Sequence, residues 1–264
     1  MTKDKFVKLE KPIYIPELPA NVRVTTKLPD EFQDGRLDRV ALKMGENGWT
    51  IPFSFEVSNI EAIHEEEDFD KFFISFYSEN ENQRFNDLVS KLLLMDAVKP
   101  YTDAIEQCIK AHKDSNYIIT INTLIPILEG LLSNFYDNKN NTKMIRVCKE
   151  MLEKYTSESQ WIEKLIWTSV WCFITNLYQK SDFSEESPNM LNRHWILHGR
   201  TSFSNSEADS LRLFNALSTV AALDNLNNKN DENLNAGKFL ELIADKTQRK
   251  LMEQVILDVL QINK

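Results

Sequence analysis

The amino-acid sequence predicts a mainly α protein, a helical bundle, and two observations carry this prediction. Glycine and proline number only 6 and 8 in 264 residues, whereas all-β folds use these residues at many turns. Apolar residues recur with helical spacing through most of the chain after residue 68, and asparagine-rich stretches at 137–141 and 225–235 separate some of these segments. We therefore expect a helical bundle preceded by an irregular, partly extended N-terminal region.

Residues 1–66 are predicted to form an N-terminal arm or small region of unknown role. Three prolines within residues 12–19 favour extended chain over helix. Over residues 29–45 the apolar positions are spaced almost as in a helix, which predicts a first helix with its stop at Gly45. The Asn-Gly pair that follows is also a common hairpin turn. The acidic stretch 61–70 is typical of a linker and a helix N-terminus.

Residues 67–264 are predicted to form the helical domain. Its helices are expected near residues 68–78, 82–96, 99–113, 116–136, 143–155, 159–180, 188–198, 206–225 and 238–262. Helix 159–180 is apolar on nearly every face, which indicates a helix packed on several sides at the centre of the bundle. Helix 116–136 is its expected neighbour.

The charge balance and the motifs that are missing exclude several functional classes. The chain has 31 Lys and Arg residues against 40 Asp and Glu, a formal charge of −9. This balance argues against a protein that coats nucleic acid or a membrane through bulk charge, although a local basic site is compatible with it. The sequence contains no glycine-rich phosphate loop and no nucleophile elbow. We therefore expect no cofactor and no association with membranes.

Cysteine usage and the N-terminal residues predict a cytoplasmic protein. Cys108, Cys148 and Cys172 are odd in number and too widely spaced for a disulfide framework or a Cys-x-x-Cys zinc site. The first residues carry mixed charges with no apolar run behind them, so no secretory signal is expected. The two most apolar stretches, 117–136 and 161–178, contain charged residues, which favours buried bundle helices over membrane spans.

The decapeptide LNRHWILHGR at 191–200 holds two of the four histidines and is the most informative part of the chain. Pro188 is a good first residue for a helix, and Gly199 is a good stop. We therefore expect the motif to lie on a helix of roughly eleven residues, 188–198, about 16 Å long.

Helical spacing assigns the residues of this motif to different faces. His194 and His198 are four positions apart and share one face. Leu191 and Trp195 share another face, which can dock on the core. Arg193 is rotated roughly 140° from His198 on an ideal helix, so its long side chain must wrap around the helix or find a partner elsewhere.

Arg193 and His198 match the Arg-x4-His signature of the HEPN (higher eukaryote and prokaryote nucleotide-binding) superfamily, in which a polar residue such as His194 often follows the arginine. The chain also resembles abortive-infection-type bacterial members of this superfamily, at residues 111–132, 192–199, 205 and 210–214. The resemblance covers about residues 105–225.

This resemblance implies an up-and-down helical core that forms a homodimer, so that two Arg-x4-His sites share one cleft. It implies an endoribonuclease that needs no metal, of the kind found in toxin, abortive-infection and antiviral defence systems. RNA is the implied partner, bound at a local site, and an antitoxin or another protein is a further candidate partner.

The residues of the motif suit that chemistry. Imidazole titrates near neutral pH, so His198 could accept the proton of a ribose 2′-hydroxyl while Arg193 holds the phosphate oxygens. His194, or a residue of the second copy, could protonate the leaving 5′-oxygen, which would yield a 2′,3′-cyclic phosphate. Arg200 and Arg212 are close in sequence and are candidates for binding the flanking phosphates.

Glu129 is a candidate orienting residue. Its helical neighbours Ile125 and Leu132 place its carboxylate on an apolar stripe, where a charged group needs a partner. One hypothesis is that Glu129 reaches Arg193 or a motif histidine across the bundle. The alternative is that it lies at the edge of the stripe, in water.

Other interpretations of the motif stay open. The motif could belong to a non-catalytic HEPN-like module that binds a nucleotide or a protein, or to a helical scaffold whose working surface is the first 100 residues. Histidines at i and i+4 are often ordinary polar surface, and they can also form half of a zinc site. Glu61 and His64 form a lone Glu-x-x-His pattern without a second copy, so no metal site is expected.

Overall fold

The structure is a computed structural model. The residues that it describes are 35–55, 59, 63–135, 143–155, 160–180, 190–200 and 206–228. In this part of the chain all regular structure is helical, so the mainly α fold is confirmed, and no helix there is long and apolar enough to cross a membrane. The α-helices are α1 (Arg36–Glu46), α2 (Phe69–Leu93), α3 (Thr102–Lys113), α4 (Tyr117–Ser133), α5 (Met144–Lys154), α6 (Trp161–Leu177), α7 (Arg193–Leu197) and α8 (Glu207–Asn228). Short 3-10 helices precede α2 and α3, at Ile63–Glu65 and Asp96–Tyr101.

Helix α2 contains the break that was predicted between residues 78 and 82. Residues 79–82 leave helical geometry, and the last three of them have φ between 51° and 62°. Such left-handed angles cost an L-residue roughly 1–2 kcal/mol each. Beyond the break, the guanidinium of Arg84 lies 4.1 Å from the ring centroid of Phe76 and pairs with Glu79 at 2.9 Å. These contacts offset part of the strain in the turn.

Helix α8 lies at the centre of the bundle, because it is buried along nearly its whole length and packs on α2, α4 and α6. Helix α6, the predicted centre, is also buried on several sides and has α1 and α5 as its main neighbours. Helix α4 packs mainly on α8 and α3. The prediction that α4 is the neighbour of α6 is therefore wrong, since α5 contacts both helices and α8 takes the larger face of α4.

The predicted domain boundary at residue 66 does not separate two cores. Helix α1 packs so closely on α6 that a Cβ on Gly45 would lie 2.4 Å from the Cβ of Cys172. Trp49 and Phe55, which follow α1, are buried in the same core cluster as α8. Residues 35–55 thus belong to the helical domain, because the apolar face of α1 is buried mainly by packing on α6. Residues 1–34 of the predicted N-terminal region and the predicted helix 238–262 lie outside the described residues.

Helix α1 continues through Gly45 and ends in a Schellman motif. Gly48 has φ of 83°, and its N–H donates to the carbonyl of Gly45 at 3.0 Å. The N–H of Trp49 donates to the carbonyl of Met44 at 2.9 Å. Because the left-handed residue of this motif is usually glycine, the helix stop is Gly48 rather than the predicted Gly45. The Asn-Gly turn ends a helix and does not form a hairpin.

The segment after α1 crosses the interior without regular structure, and side chains of α6 and α8 satisfy its backbone. The N–H of Thr50 donates to Oδ1 of Asn215 at 3.1 Å, and the N–H of Ile51 donates to Oγ of Ser169 at 2.9 Å. The hydroxyl of Thr219 donates to the carbonyl of Ile51 at 3.4 Å. An unpaired buried backbone group is costly, so these polar side chains hold the segment in the core.

Candidate active site

The short helix α7 carries the motif and is shorter than the predicted helix 188–198. Asn192 is its N-cap, since Oδ1 of Asn192 accepts a hydrogen bond from the N–H of Trp195 at 3.1 Å. Asn192 has extended backbone angles, and the two residues before it are not helical. The helix therefore begins after Asn192, because this side chain satisfies a free N–H of the first turn, and Pro188 is not its first residue.

Both ends of α7 are held in place. At its start, Nδ2 of Asn192 also donates to the carbonyl of Gln179, just beyond α6, at 2.8 Å, and Asn192 is only 4% exposed. At its end, Gly199 has φ of 62°, and the N–H of Arg200 donates to the carbonyl of Trp195 at 2.9 Å. Gly199 is thus the helix stop, as predicted, in a second Schellman motif.

Helix α7 and its flanking residues have a buried face and an exposed end. Leu191, Trp195 and Ile196 are buried, so the predicted docking face is confirmed. Leu197 and His198 are exposed. The core therefore anchors the helix while its C-terminal end faces outward.

The side chains of Arg193 and Glu129 meet between α7 and α4. Nε of Arg193 donates to Oε1 of Glu129 at 2.7 Å, and the two side chains are 34% and 27% exposed. This contact is one of those hypothesised for Glu129 from the sequence, and the carboxylate does not lie alone in water. A charge-assisted hydrogen bond to Nε restricts the plane of the guanidinium.

Tyr178, the residue after α6, lies next to this ion pair. The guanidinium carbon of Arg193 is 5.7 Å from the centroid of the Tyr178 ring, within the range of a cation–π contact. The Tyr178 hydroxyl is buried and has no hydrogen-bond partner among the described residues. Burial raises the pKa of Tyr178, and the nearby carboxylate of Glu129 raises it further. The hydroxyl therefore keeps its proton at neutral pH.

His194 and His198 contact each other along α7. Their ring centroids are 4.7 Å apart and their planes meet at 72°, an edge-to-face arrangement. His194 is half-buried, whereas His198 is exposed just after the last helical residue. Two imidazole rings therefore lie side by side near the exposed end of the helix.

Arg200 is exposed directly after the end of α7. It follows Gly199, so its backbone is fixed by the helix stop while its side chain reaches outward. Its predicted contact with a flanking phosphate is compatible with this position and stays a prediction.

Arg212 is not available for a flanking phosphate, contrary to the prediction, because its guanidinium is buried and paired with two carboxylates. Arg212 is 7% exposed, Nη1 donates to Asp209 at 2.6 Å, and Nη2 donates to Asp70. Its guanidinium also lies 5.4 Å from the ring of Trp49, whose Nε1 donates to the same Asp70 carboxylate at 3.0 Å. Because α8 is the central helix, an arginine in its second turn is surrounded by protein. Arg212 therefore joins α8 to α2 and to the segment after α1.

The structure offers no assembled metal site among the residues that it describes. No group of three or more His, Cys, Asp or Glu side chains there is placed to hold a metal ion. His64, from the lone Glu-x-x-His pattern, pairs with the adjacent Glu65 at 2.8 Å, and Glu61 lies outside the described residues. The three cysteines are buried free thiols.

His112 lies in the core on α3, which is not one of the main neighbours of α7. Its Nδ1 is 2.8 Å from Oγ of Ser210, and its ring centroid is 4.5 Å from that of Phe85. Burial and, to a smaller extent, the charge of Lys113 together lower the pKa of His112 to about 4. The imidazole is therefore neutral at physiological pH and serves the packing of α3 on α8.

Two residues of the site, Asn192 and Tyr178, were not predicted from the sequence. An asparagine directly before a short amphipathic segment is an N-cap signal, but the proline four residues earlier suggested another start. Nothing in the local sequence marks Tyr178, because its position beside Glu129 depends on how the end of α6 meets α4.

Comparisons with known proteins leave the site to be interpreted from its own geometry. No family profile matches the chain, and neither the curated proteins nor the solved structures contain a match. The similarity to the HEPN superfamily accordingly stays a prediction that depends on the motif residues.

Proposed function

We propose that this protein is a metal-independent endoribonuclease of the toxin or phage-defence type, with a HEPN-like Arg-x4-His site formed by Arg193 and His198. The observation that carries the proposal is the ion pair between Arg193 and Glu129, at the start of a short anchored helix whose other end exposes His198. A fixed guanidinium and a solvent-accessible imidazole on the same short helix are the groups that cleavage of a phosphodiester needs at a minimum.

Arg193 is suited to hold the scissile phosphate. Its Nε is engaged by Glu129, while the Nη1 and Nη2 groups make no hydrogen bond that is recorded among the described residues, and a third of the side chain is exposed. A guanidinium offers its donors in a rigid fork that matches two phosphate oxygens. Glu129 would therefore orient the guanidinium of Arg193 before the substrate binds, so that no reorientation is needed during the reaction.

His198 and His194 supply the proton transfers in the proposed reaction. His198 takes the proton from the ribose 2′-hydroxyl, and the 2′-oxygen attacks the phosphorus. The bond from phosphorus to the 5′-oxygen breaks, and His194 or a residue of a second copy gives this oxygen a proton. The products are a 2′,3′-cyclic phosphate and a free 5′-hydroxyl. General acid–base catalysis of this kind typically contributes about 10²- to 10⁴-fold.

A homodimer would solve the electrostatic problem that the composition raises. The chain carries a formal charge of −9, so a single copy repels RNA at long range. Two copies that face each other through α7 would place two Arg193 and two Arg200 side chains in one cleft. Local positive charge would then bind RNA although the protein as a whole is acidic.

The alternative proposal is a non-catalytic HEPN-like module that binds a nucleotide or a protein partner. Arg193 is already paired with Glu129 without any ligand, and such a pair could equally serve as a binding contact or as a link between α4 and α7. An antitoxin that covers the exposed end of α7 would belong to either case.

The decisive experiment incubates the purified protein with total RNA in EDTA and maps the ends of any fragments. We expect cleavage with 2′,3′-cyclic phosphate ends that is lost in Arg193→Ala and in His198→Ala. Arg146→Ala and His64→Ala are matched controls, because Arg146 is an exposed arginine with Nε on Glu150 at 2.6 Å and His64 is an exposed histidine. Absence of cleavage, or cleavage that all four variants retain, would remove the nuclease proposal and favour the binding module.

A further inference from the structure

The Tyr178 hydroxyl is a buried donor that the proposed reaction does not yet use. It has no hydrogen-bond partner among the described residues, and its ring lies 5.7 Å from the guanidinium carbon of Arg193. Buried polar groups are nearly always paired, so an unpaired hydroxyl at a candidate site needs an explanation. The charged group that faces it is the carboxylate of Glu129, which is close enough to act on the ionisation of the phenol.

An anion that reaches Arg193 weakens the ion pair that, among the described residues, compensates the charge of the Glu129 carboxylate. Among the described residues, the hydrogen bond of regular geometry that Glu129 accepts from a side chain comes from Nε of Arg193, whereas the Tyr178 hydroxyl lies close enough to interact with the carboxylate but without that geometry. A phosphate on the same guanidinium competes for its positive charge and weakens that bond. A carboxylate that is three-quarters buried then needs another donor, because an uncompensated charge there is costly.

We propose that Tyr178 is a positioning residue that donates its hydroxyl proton in a hydrogen bond to Glu129 when a phosphate group binds Arg193. Glu129 then stays ionised and in place while Arg193 shifts towards the phosphate. No bond is made or broken covalently in this step, and the phenolic proton stays on Tyr178. The inference rests on the proposed function in that the anion is the phosphodiester group of RNA.

The burial of Tyr178 and its position next to a carboxylate suit it to replace Arg193 as the hydrogen-bond donor to Glu129. The phenol keeps its proton because both its burial and the adjacent carboxylate disfavour the phenolate. A neutral donor can replace an arginine without adding charge to the site. Before the anion binds, the ring contributes a cation–π contact to Arg193, so the same residue stabilises both arrangements of the ion pair.

Inorganic phosphate is the probe that tests the exchange without RNA cleavage. The full-length protein with ¹⁵N-labelled arginine is titrated with phosphate, and the Nε–Hε resonance of Arg193, assigned with Arg193→Lys, reports binding. We expect Tyr178→Phe to weaken phosphate binding about three- to tenfold, which corresponds to the loss of one hydrogen bond of ordinary strength. Tyr155→Phe is the matched control, because Tyr155 is a half-buried tyrosine at the end of α5 whose pKa is also raised by burial, and its affinity should equal that of the wild type.

A second variant separates positioning from folding. In Glu129→Ala, the further change Tyr178→Phe should have no additional effect on phosphate affinity, since the acceptor of the hydrogen bond is removed. Thermal unfolding of each variant verifies that it is folded. Equal affinity of Tyr178→Phe and wild type, additive losses in the double variant, or no response of Arg193 to millimolar phosphate would each overturn the inference.

The proposed role of Tyr178 and the proposed nuclease activity can fail independently, because phosphate binding and RNA cleavage are measured separately. If Tyr178 affects phosphate binding while no RNA is cleaved, the exchange stands and the protein is a binding module. If RNA is cleaved and Tyr178→Phe behaves as the wild type in both assays, the exchange is overturned and the nuclease stands.

Discussion

Nε of Arg193 donates to Oε1 of Glu129 at 2.7 Å, although the two residues are 64 positions apart in the sequence. This bond joins α7 to α4 at the point where the motif arginine emerges from the helix cap. It makes the orientation of Arg193 depend on the packing of the bundle. The site can therefore be disturbed from α4 without any change in the motif itself.

A double-mutant cycle measures the strength of this bond. Glu129→Gln and Arg193→Gln should each destabilise the fold, and the double variant should lose less than the sum, with a coupling of about 1 kcal/mol for a partly exposed pair. The comparison pair is Arg146 and Glu150, which are more exposed and lie one turn apart on α5; its coupling should be only about 0.3–0.5 kcal/mol. Urea denaturation gives the free energies of unfolding. Additive losses for Glu129 and Arg193 would contradict the coupling.

Asn192 should matter for both stability and activity, because one buried side chain caps α7 and also binds the carbonyl of Gln179. Asn192→Ala removes both hydrogen bonds and should cost about 2 kcal/mol. Asn192→Asp keeps the cap but sets a carboxylate oxygen against the carbonyl of Gln179 at a buried position, so it should be at least as destabilising as Asn192→Ala. Asp68→Ala is the control, because it removes the exposed cap of α2, where Oδ1 accepts from the N–H of Lys71 at 3.0 Å.

The readout for Asn192 combines thermal unfolding with RNA cleavage by the fraction that is still folded. Both Asn192 variants should lose cleavage at temperatures where they remain folded, since α7 is no longer held against α6. The Asp68 variant should lose about 1 kcal/mol of stability and no cleavage. Full activity of folded Asn192→Ala would show that the cap is irrelevant to the site.

Arg212 and Arg200 should respond to substitution in opposite ways. Arg212→Met leaves the carboxylates of Asp209 and Asp70 without their cation in a largely buried network, and breaking such a network typically costs about 3 kcal/mol or more. Arg200→Ala removes an exposed side chain and should change stability by less than about 0.5 kcal/mol. It should instead weaken RNA binding with a reduced dependence on salt.

Equilibrium unfolding and RNA binding at several salt concentrations separate the two arginines. A stable Arg212→Met variant with weakened RNA binding would restore the sequence-based role of Arg212. A strongly destabilised Arg200→Ala variant would place Arg200 in the fold rather than at the substrate.

The contrast between Arg193 and Arg212 shows which contacts could be predicted from the sequence and which could not. Glu129 was predictable, because a carboxylate on an apolar stripe demands a partner, and the arginine of the motif is such a partner. Arg212, Asn215 and Thr219 have the spacing of an ordinary polar face on α8. Their partners outside α8 lie in the segment after α1 and in α2, and no local pattern connects residues that are 142 to 168 positions apart.

Helix boundaries were likewise predictable only where they depend on the local sequence. The break within α2 and the stop at Gly199 depend on local backbone preferences and agree with the sequence. The start of α7 depends on Asn192, whose side chain is fixed by the end of α6, so the local proline signal was misleading. Residues 35–55 were assigned to a separate N-terminal region because their burial depends on α6 and α8 rather than on their own pattern.

The buried imidazole of His112 predicts a loss of stability at mildly acidic pH. Burial lowers its pKa from 6.5 to about 4 in the folded protein, so between these two values the unfolded chain binds a proton that the folded protein does not. The free energy of unfolding should therefore be undiminished above about pH 6.5 and should fall as the pH drops towards 4, by at most about 3 kcal/mol.

In His112→Gln this part of the pH dependence should disappear, because no proton is taken up on unfolding at that position. His64→Gln, which removes an exposed histidine, should keep the wild-type profile. Urea denaturation between neutral pH and about pH 4.5 compares the three proteins across the window set by the two pKa values. Parallel profiles for wild type and His112→Gln would mean that the ring is not held neutral in the core.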